Sequence, residues 1–223
     1  MIGRRILMAY MLLLTVGILW IGYSTGVSQR YLIWNLFLAF MPYLLARLAT
    51  SDRFSGWHKG AFFFAWLAFY PNAFYLVTDL IHLQNDVFYY TDQAGKIVYV
   101  TSPLIWSRLL VLVSAVFIGM MLSYYSLNTV HEWFFKRVKS LLASLTFLTA
   151  VSMLTGWAVT LGRFFRFNSW DLLLEPHRFL AMIQKIFLAP YFQLSLMFAC
   201  VHFFVIFFIW LMDKELVPDK VAK

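Results

Sequence analysis

The chain has 223 residues, of which 62% are hydrophobic, 20% aromatic and only 13% charged, with a mean hydropathy of +0.75. A soluble domain carries about 25% charged residues to cover its surface, so that class is excluded, and one Cys amid this much apolar surface excludes a disulfide scaffold or a disordered tail. The formal charge of +8 therefore reads as a topology signal and an attraction to anionic headgroups, not as nucleic-acid affinity, since no basic domain stands outside the membrane.

Six runs approach the roughly 20 apolar residues that a helix needs to cross a bilayer: 6–23, 31–49, 60–83, 104–127, 141–162 and 191–212. Arg4 and Arg5 before the first run, and Ser24, Thr25 and Gly26 after it, imitate a secretory signal. Its apolar core is long for one and five more runs follow, so a retained first helix is expected. With the N-terminus inside, eleven of the eighteen Lys and Arg residues fall on cytoplasmic connections and seven on the other side. The positive-inside rule then predicts that both termini are cytoplasmic.

In the second run, Asn35 and Pro42 read as a helix contact and a kink. The third run is the most informative. At 100° per residue, Asn72, Tyr75, Asp79, His82 and Asp86 fall within about 80° of one another if the helix extends that far. Ala61, Ala65 and Ala68 lie near the same face and predict close approach by a neighbouring helix. Pro71 removes a backbone donor and invites a kink, beside which the Asn72 amide can satisfy exposed backbone groups. Asp79 carries the most weight, because a carboxylate near the membrane is costly unless it is paired or wet. His82, one turn on, could exchange a proton with it. The Asp79, His82, Asp86 spacing suits a divalent cation less well, for want of a second His, and no metal is assigned.

Between the third and fourth runs, residues 87–90 and 97–100 flank Thr91-Asp92-Gln93-Ala94-Gly95-Lys96, the pattern of a small β-hairpin. At the end of the fifth run, Ser152, Thr155, Gly156, Arg163 and Arg166 share a face if the helix continues. Two guanidiniums one turn apart match a phosphate or carboxylate, and Asn168, Trp170 and Asp171 would form the lip of such a site. Asp171 and Glu175 could instead neutralise the arginines. Residues 164–190 mix charge with apolar positions, as an amphipathic interfacial helix or a re-entrant segment would. In the sixth run, His202 is expected to be hydrogen-bonded to a neighbouring helix, and Cys200 to act as a small hydrophobe.

The stretches Pro71-Asn72-Ala73-Phe74-Tyr75-Leu76-Val77-Thr78-Asp79-Leu80-Ile81-His82-Leu83 and Gly162-Arg163-Phe164-Phe165-Arg166-Phe167-Asn168-Ser169-Trp170-Asp171 resemble the two signatures of an uncharacterised bacterial membrane family, domain of unknown function 1361. Phe74 stands where a Pro is associated with that family. The resemblance implies a multi-pass protein of the bacterial cytoplasmic membrane and one undivided domain over 1–223. It implies no chemistry.

The expected fold is an all-α, six-transmembrane-helix bundle with a small outer β-hairpin and an outer amphipathic or re-entrant segment. Helices three and five run in the same direction, so their ionisable ends should lie at one depth. The reading this supports is a site at the extracytoplasmic end for an anionic, lipid-linked substrate. Arg163 and Arg166 would hold the anion, Asn72, Tyr75, Asn168 and Asp171 would orient or frame it, and Asp79 and His82 would act as the catalytic proton pair. Membrane lipids are the expected surroundings, and no cofactor is named by these residues. Two alternatives are an assembly subunit with a membrane-protein partner, and a proton-coupled transporter.

Overall fold

The structure is a computed structural model that describes residues 2–25, 29–136 and 140–216. Among the described residues, six helical stretches are long and apolar enough to cross a membrane: Arg5–Tyr23, Arg30–Ala49, Trp57–Leu83, Pro103–Phe135, Leu141–Phe165 and Tyr191–Asp213. They correspond to α1 (Ile2–Thr25), α2 (Arg30–Ala49), a broken third span, α5 (Pro103–Phe135), α6 (Leu141–Phe165) and α9 (Tyr191–Leu216). The third span is α3 (Trp57–Phe69), α4 (Pro71–Tyr75) and a 3-10 helix (Leu76–Leu83). The break falls at Pro71, which sits in the first turn of α4, where its missing donor is harmless.

The connection after the third span pairs β1 (Tyr89–Thr91) with β2 (Ile97–Tyr99) antiparallel, with Tyr89 opposite Tyr99. Gly95 turns the hairpin at φ +76°, a conformation that costs glycine nothing. The Asp92 carboxylate accepts from the Ala94 and Lys96 amides. Trp106 of α5 donates to the Val100 carbonyl at 2.8 Å and fixes the hairpin to the bundle. The connection after α6 carries α7 (Asp171–Leu174) and α8 (Pro176–Ile186). Helix α8 turns Phe179, Met182, Ile183 and Ile186 inward and leaves His177, Gln184 and Lys185 exposed, so it is an amphipathic helix.

Buried apolar side chains among the described residues gather in two clusters. One joins Leu14 and Ile18 of α1, Leu32 and Leu36 of α2, and Leu112, Ala115 and Ile118 of α5. The other joins Trp66 and Tyr70, Leu127 and Val130, Val151, and Ile206. Within a bilayer, association depends on close backbone approach more than on burial from water, and two glycines supply it. A side chain at Gly156 would collide with the Ser195 carbonyl of α9, and one at Gly119 with the Ala73 carbonyl of α4. The alanine stripe expected to seal α3 does not do so. Ala61 is exposed and Ala65 only half-buried, and the packed side chains of this span are Trp66 and Tyr70.

Candidate functional site

Beyond Tyr75 the chain tightens into a 3-10 helix, and its three residues per turn replace 3.6. Leu76, Asp79 and His82 therefore stand in one line, not in a drifting arc. Leu76 is fully buried, Asp79 is 1% exposed, and the His82 side chain emerges at 42%. The change of period corrects the polar stripe. Asp86 lies past the end of this helix and pairs with Arg108 of α5 at 2.5 Å, so the metal spacing is not realised. Among the described residues no three His, Cys, Asp or Glu side chains converge as ligands.

Asp79 and Arg163, 84 residues apart, are in contact. The Arg163 Nη2 donates to Asp79 Oδ1 at 2.6 Å, and its Nε and Nη2 donate to Thr78 Oγ1 at 3.0 and 2.5 Å. The Thr78 hydroxyl is oriented by donating to the Tyr75 carbonyl at 2.7 Å. The guanidinium lies 4.6 Å from the centre of the Tyr75 ring. On the far side, Asn35 Nδ2 donates to Asp79 Oδ2 at 2.7 Å. Both carboxylate oxygens are thus engaged, which is the condition for keeping a charge this deeply buried. His82 Nε2 stands 3.9 Å from Asp79 Oδ1, and its ring lies 4.4 Å from that of Tyr31. Asn35, read from sequence only as a helix contact, belongs to the cluster; its sole sequence signal is a side-chain amide in an apolar run.

Beside this cluster lies a cavity of about 460 Å³. Its walls include Phe64, Leu67 and Ala68 of α3, Leu154 and Ala158 of α6, and Phe179 and Ile183 of α8. Asn35, Asn72, Tyr75, Asn168 and Ser169 supply its polar lining. Asn72 donates to Ser169 Oγ at 2.8 Å and to the Phe69 carbonyl at 2.9 Å, tying the Pro71 break to the segment after α6. The slot exists because that break parts two helices: α6 packs against α4 but not appreciably against α3. Gly162 against the Tyr75 ring lets α6 and α4 meet.

The remaining candidates are more dispersed. Arg166 does not extend the face of Arg163. Helix α6 ends at Phe165, and Arg166 adopts the left-handed conformation at φ 52° and is exposed. The expected pair of guanidiniums is therefore not formed. Asp171 is 6% exposed and accepts from the Asn168 backbone and side-chain amides at 2.7 and 3.1 Å. It braces the loop instead of neutralising an arginine. Glu175 pairs with Arg178 at 3.0 Å, and Arg178 also donates to the Phe165 carbonyl. Trp170 meets Trp34 edge to face at 6.3 Å.

Fold and site together define a six-span membrane protein with a compensated ion pair set against an apolar slot. The chain belongs to the family described as protein of unknown function (DUF1361), whose model matches residues 34–211. That span begins in α2 at the slot and runs through α9, so it contains the walls of the cavity and both members of the ion pair. No curated protein and no solved structure matches the chain.

Proposed function

We propose that the chain is a multi-pass protein of the bacterial plasma membrane with both termini cytoplasmic, and that it binds an anionic, lipid-linked molecule at the hairpin end of the bundle, on the outer face. One observation supports this above the others: Asn35 and Tyr75 line the slot and also hold Asp79 and Arg163. An apolar chain in the slot brings its polar end against the amides and hydroxyl of Asn72, Asn168 and Ser169, a few placed polar groups in a mostly apolar pocket. Arg163, 19% exposed, and the exposed Arg166 supply positive potential for the anion. Asp79 and His82 form the pair through which a proton passes, His82 being the member that reaches solvent.

The test is native mass spectrometry of the purified chain in nanodiscs of neutral lipid, titrated with hexadecyl phosphate and with hexadecanol. A charge-assisted contact contributes about 1.5–3 kcal/mol, so the phosphate binds on the order of tenfold tighter or more. Arg163→Ala and Asn72→Ala reduce that preference in protein that remains folded. Equal affinity for the two probes defeats the reading.

Full engagement of the Asp79 carboxylate favours a second reading, in which the pair only locks the third and fifth spans of an assembly subunit that meets a membrane-protein partner. Exchanging the charges, Asp79→Arg with Arg163→Asp, preserves a lock and destroys a ligand site. The phosphate preference of the doubly exchanged protein decides between them.

A further inference from the structure

We infer that the slot takes a single hydrocarbon chain, entering sideways from the bilayer between α3 and α6, so that a two-chain lipid would place one chain there and leave the other in the bilayer. This rests on the lipid-linked reading above and adds its chain number and route of entry.

The route follows from the Pro71 break. Below it α3 and α6 diverge, and the side chains flanking the gap face outward: Phe64 is 52% exposed, Leu67 39% and Leu154 40%. In a bilayer such surface meets hydrocarbon. Helix α8 lies across the slot with Phe179 and Ile183 turned in. Its amphipathic pattern suits the headgroup boundary, which leaves the side of the slot as the path for an apolar chain. At the α8 end, Asn72, Asn168 and Ser169 receive the polar terminus.

Volume sets the number of chains. An apolar cavity of about 150 Å³ accommodates one benzene, and this one, at about 460 Å³, is roughly three times larger. On that scale it holds on the order of eighteen carbons, which is one acyl or prenyl chain and too little for two.

The experiment uses the full chain in nanodiscs and three probes carrying a photoactivatable diazirine in the tail: hexadecyl phosphate, hexadecanol and dihexadecyl phosphatidic acid. Adducts are mapped by peptide mass spectrometry. All three probes are expected to label peptides covering 61–69 and 154–162 with one slot adduct per protein, because the two-chain probe inserts one chain and leaves the other in the bilayer. Ala158→Phe, or Ala68→Phe from the opposite wall should the first fail to fold, abolishes the slot adducts and leaves labelling of α9 intact. Two slot adducts on one protein molecule overturn the inference, as does slot labelling that survives both plugs. Equal slot labelling by phosphate and alcohol upholds the chain-number inference even though it counts against the anionic reading, so the two proposals fail separately.

Discussion

Two polar clusters among the described residues of this bundle differ in what their bonds leave over. At its centre, Ser123 of α5 donates to the Tyr70 hydroxyl at 2.8 Å, Tyr70 meets His202 Nε2 at 3.0 Å, and His202 Nδ1 meets Ser152 of α6 at 2.8 Å. Ser123 Oγ also stands 3.3 Å from His202 Nε2, so each polar atom of the group has a partner within it. All four residues are at most 2% exposed. The circuit is closed, and it fixes the register of the third, fourth, fifth and sixth spans. At the hairpin end Asp79 is equally buried and equally bonded, yet its partners are not sealed: Arg163 and His82 retain exposure, and Asn35 and Tyr75 border the slot. Burial of a polar group therefore does not mark a ligand site here. Under the proposed function, continuity with open space does.

The comparison breaks most decisively at Arg163. Arg163→Ala leaves the Asp79 carboxylate buried with only the Asn35 amide hydrogen-bonded to it and His82 at 3.9 Å, and breaking a fully buried pair costs about 3–5 kcal/mol. With Arg163 partly exposed the expected loss is nearer about 3 kcal/mol, seen as a lower thermal midpoint of the purified protein. Adding Asp79→Asn recovers most of it. A single variant as stable as the parent would show that the pair does not hold the two spans together.

His202→Leu comes next. It keeps the volume and strips Tyr70 and Ser152 of a partner, at a cost on the order of 2 kcal/mol, since an unpaired buried group costs about 1–3 kcal/mol and hydrogen bonds within membranes are individually weaker. Hexadecyl phosphate binding per folded molecule should not change. Loss of that binding without loss of stability would erase the distinction between a closed cluster and an open one.

The spans were legible because hydrocarbon thickness imposes an apolar run of fixed length, and the hairpin because Gly95 sits between alternating segments. The third and fifth spans also had to bring Asp79 and Arg163 to one end. The local shape of that end was not legible. Nothing in Leu76 to Leu83 distinguishes a 3-10 turn from the α-helix that precedes it, because the tighter pitch answers to contacts from elsewhere: Asn35 and Arg163 on Asp79, and α5 against Ala73 and Leu76. The same holds for Arg166, an ordinary helix former that ends a helix at positive φ. Ala68 was misread because a small residue serves equally for close packing and for leaving room, and only the divergence of α3 from α6 decides which.

Arg166 offers the finest test, because its two expected effects have opposite signs. A non-glycine residue at φ 52° carries strain of about 1–2 kcal/mol, and glycine relieves it at some cost in unfolded-state entropy. Arg166→Gly should therefore raise stability by about 0.5–1 kcal/mol. It also removes an exposed positive charge, so affinity for hexadecyl phosphate should fall about two- to threefold, and less at high salt, where screening already weakens that charge. Arg166→Ala keeps the strain and loses the charge, so it should reproduce the affinity change alone. If glycine improves stability and leaves phosphate binding untouched, Arg166 plays no part in drawing in the anion.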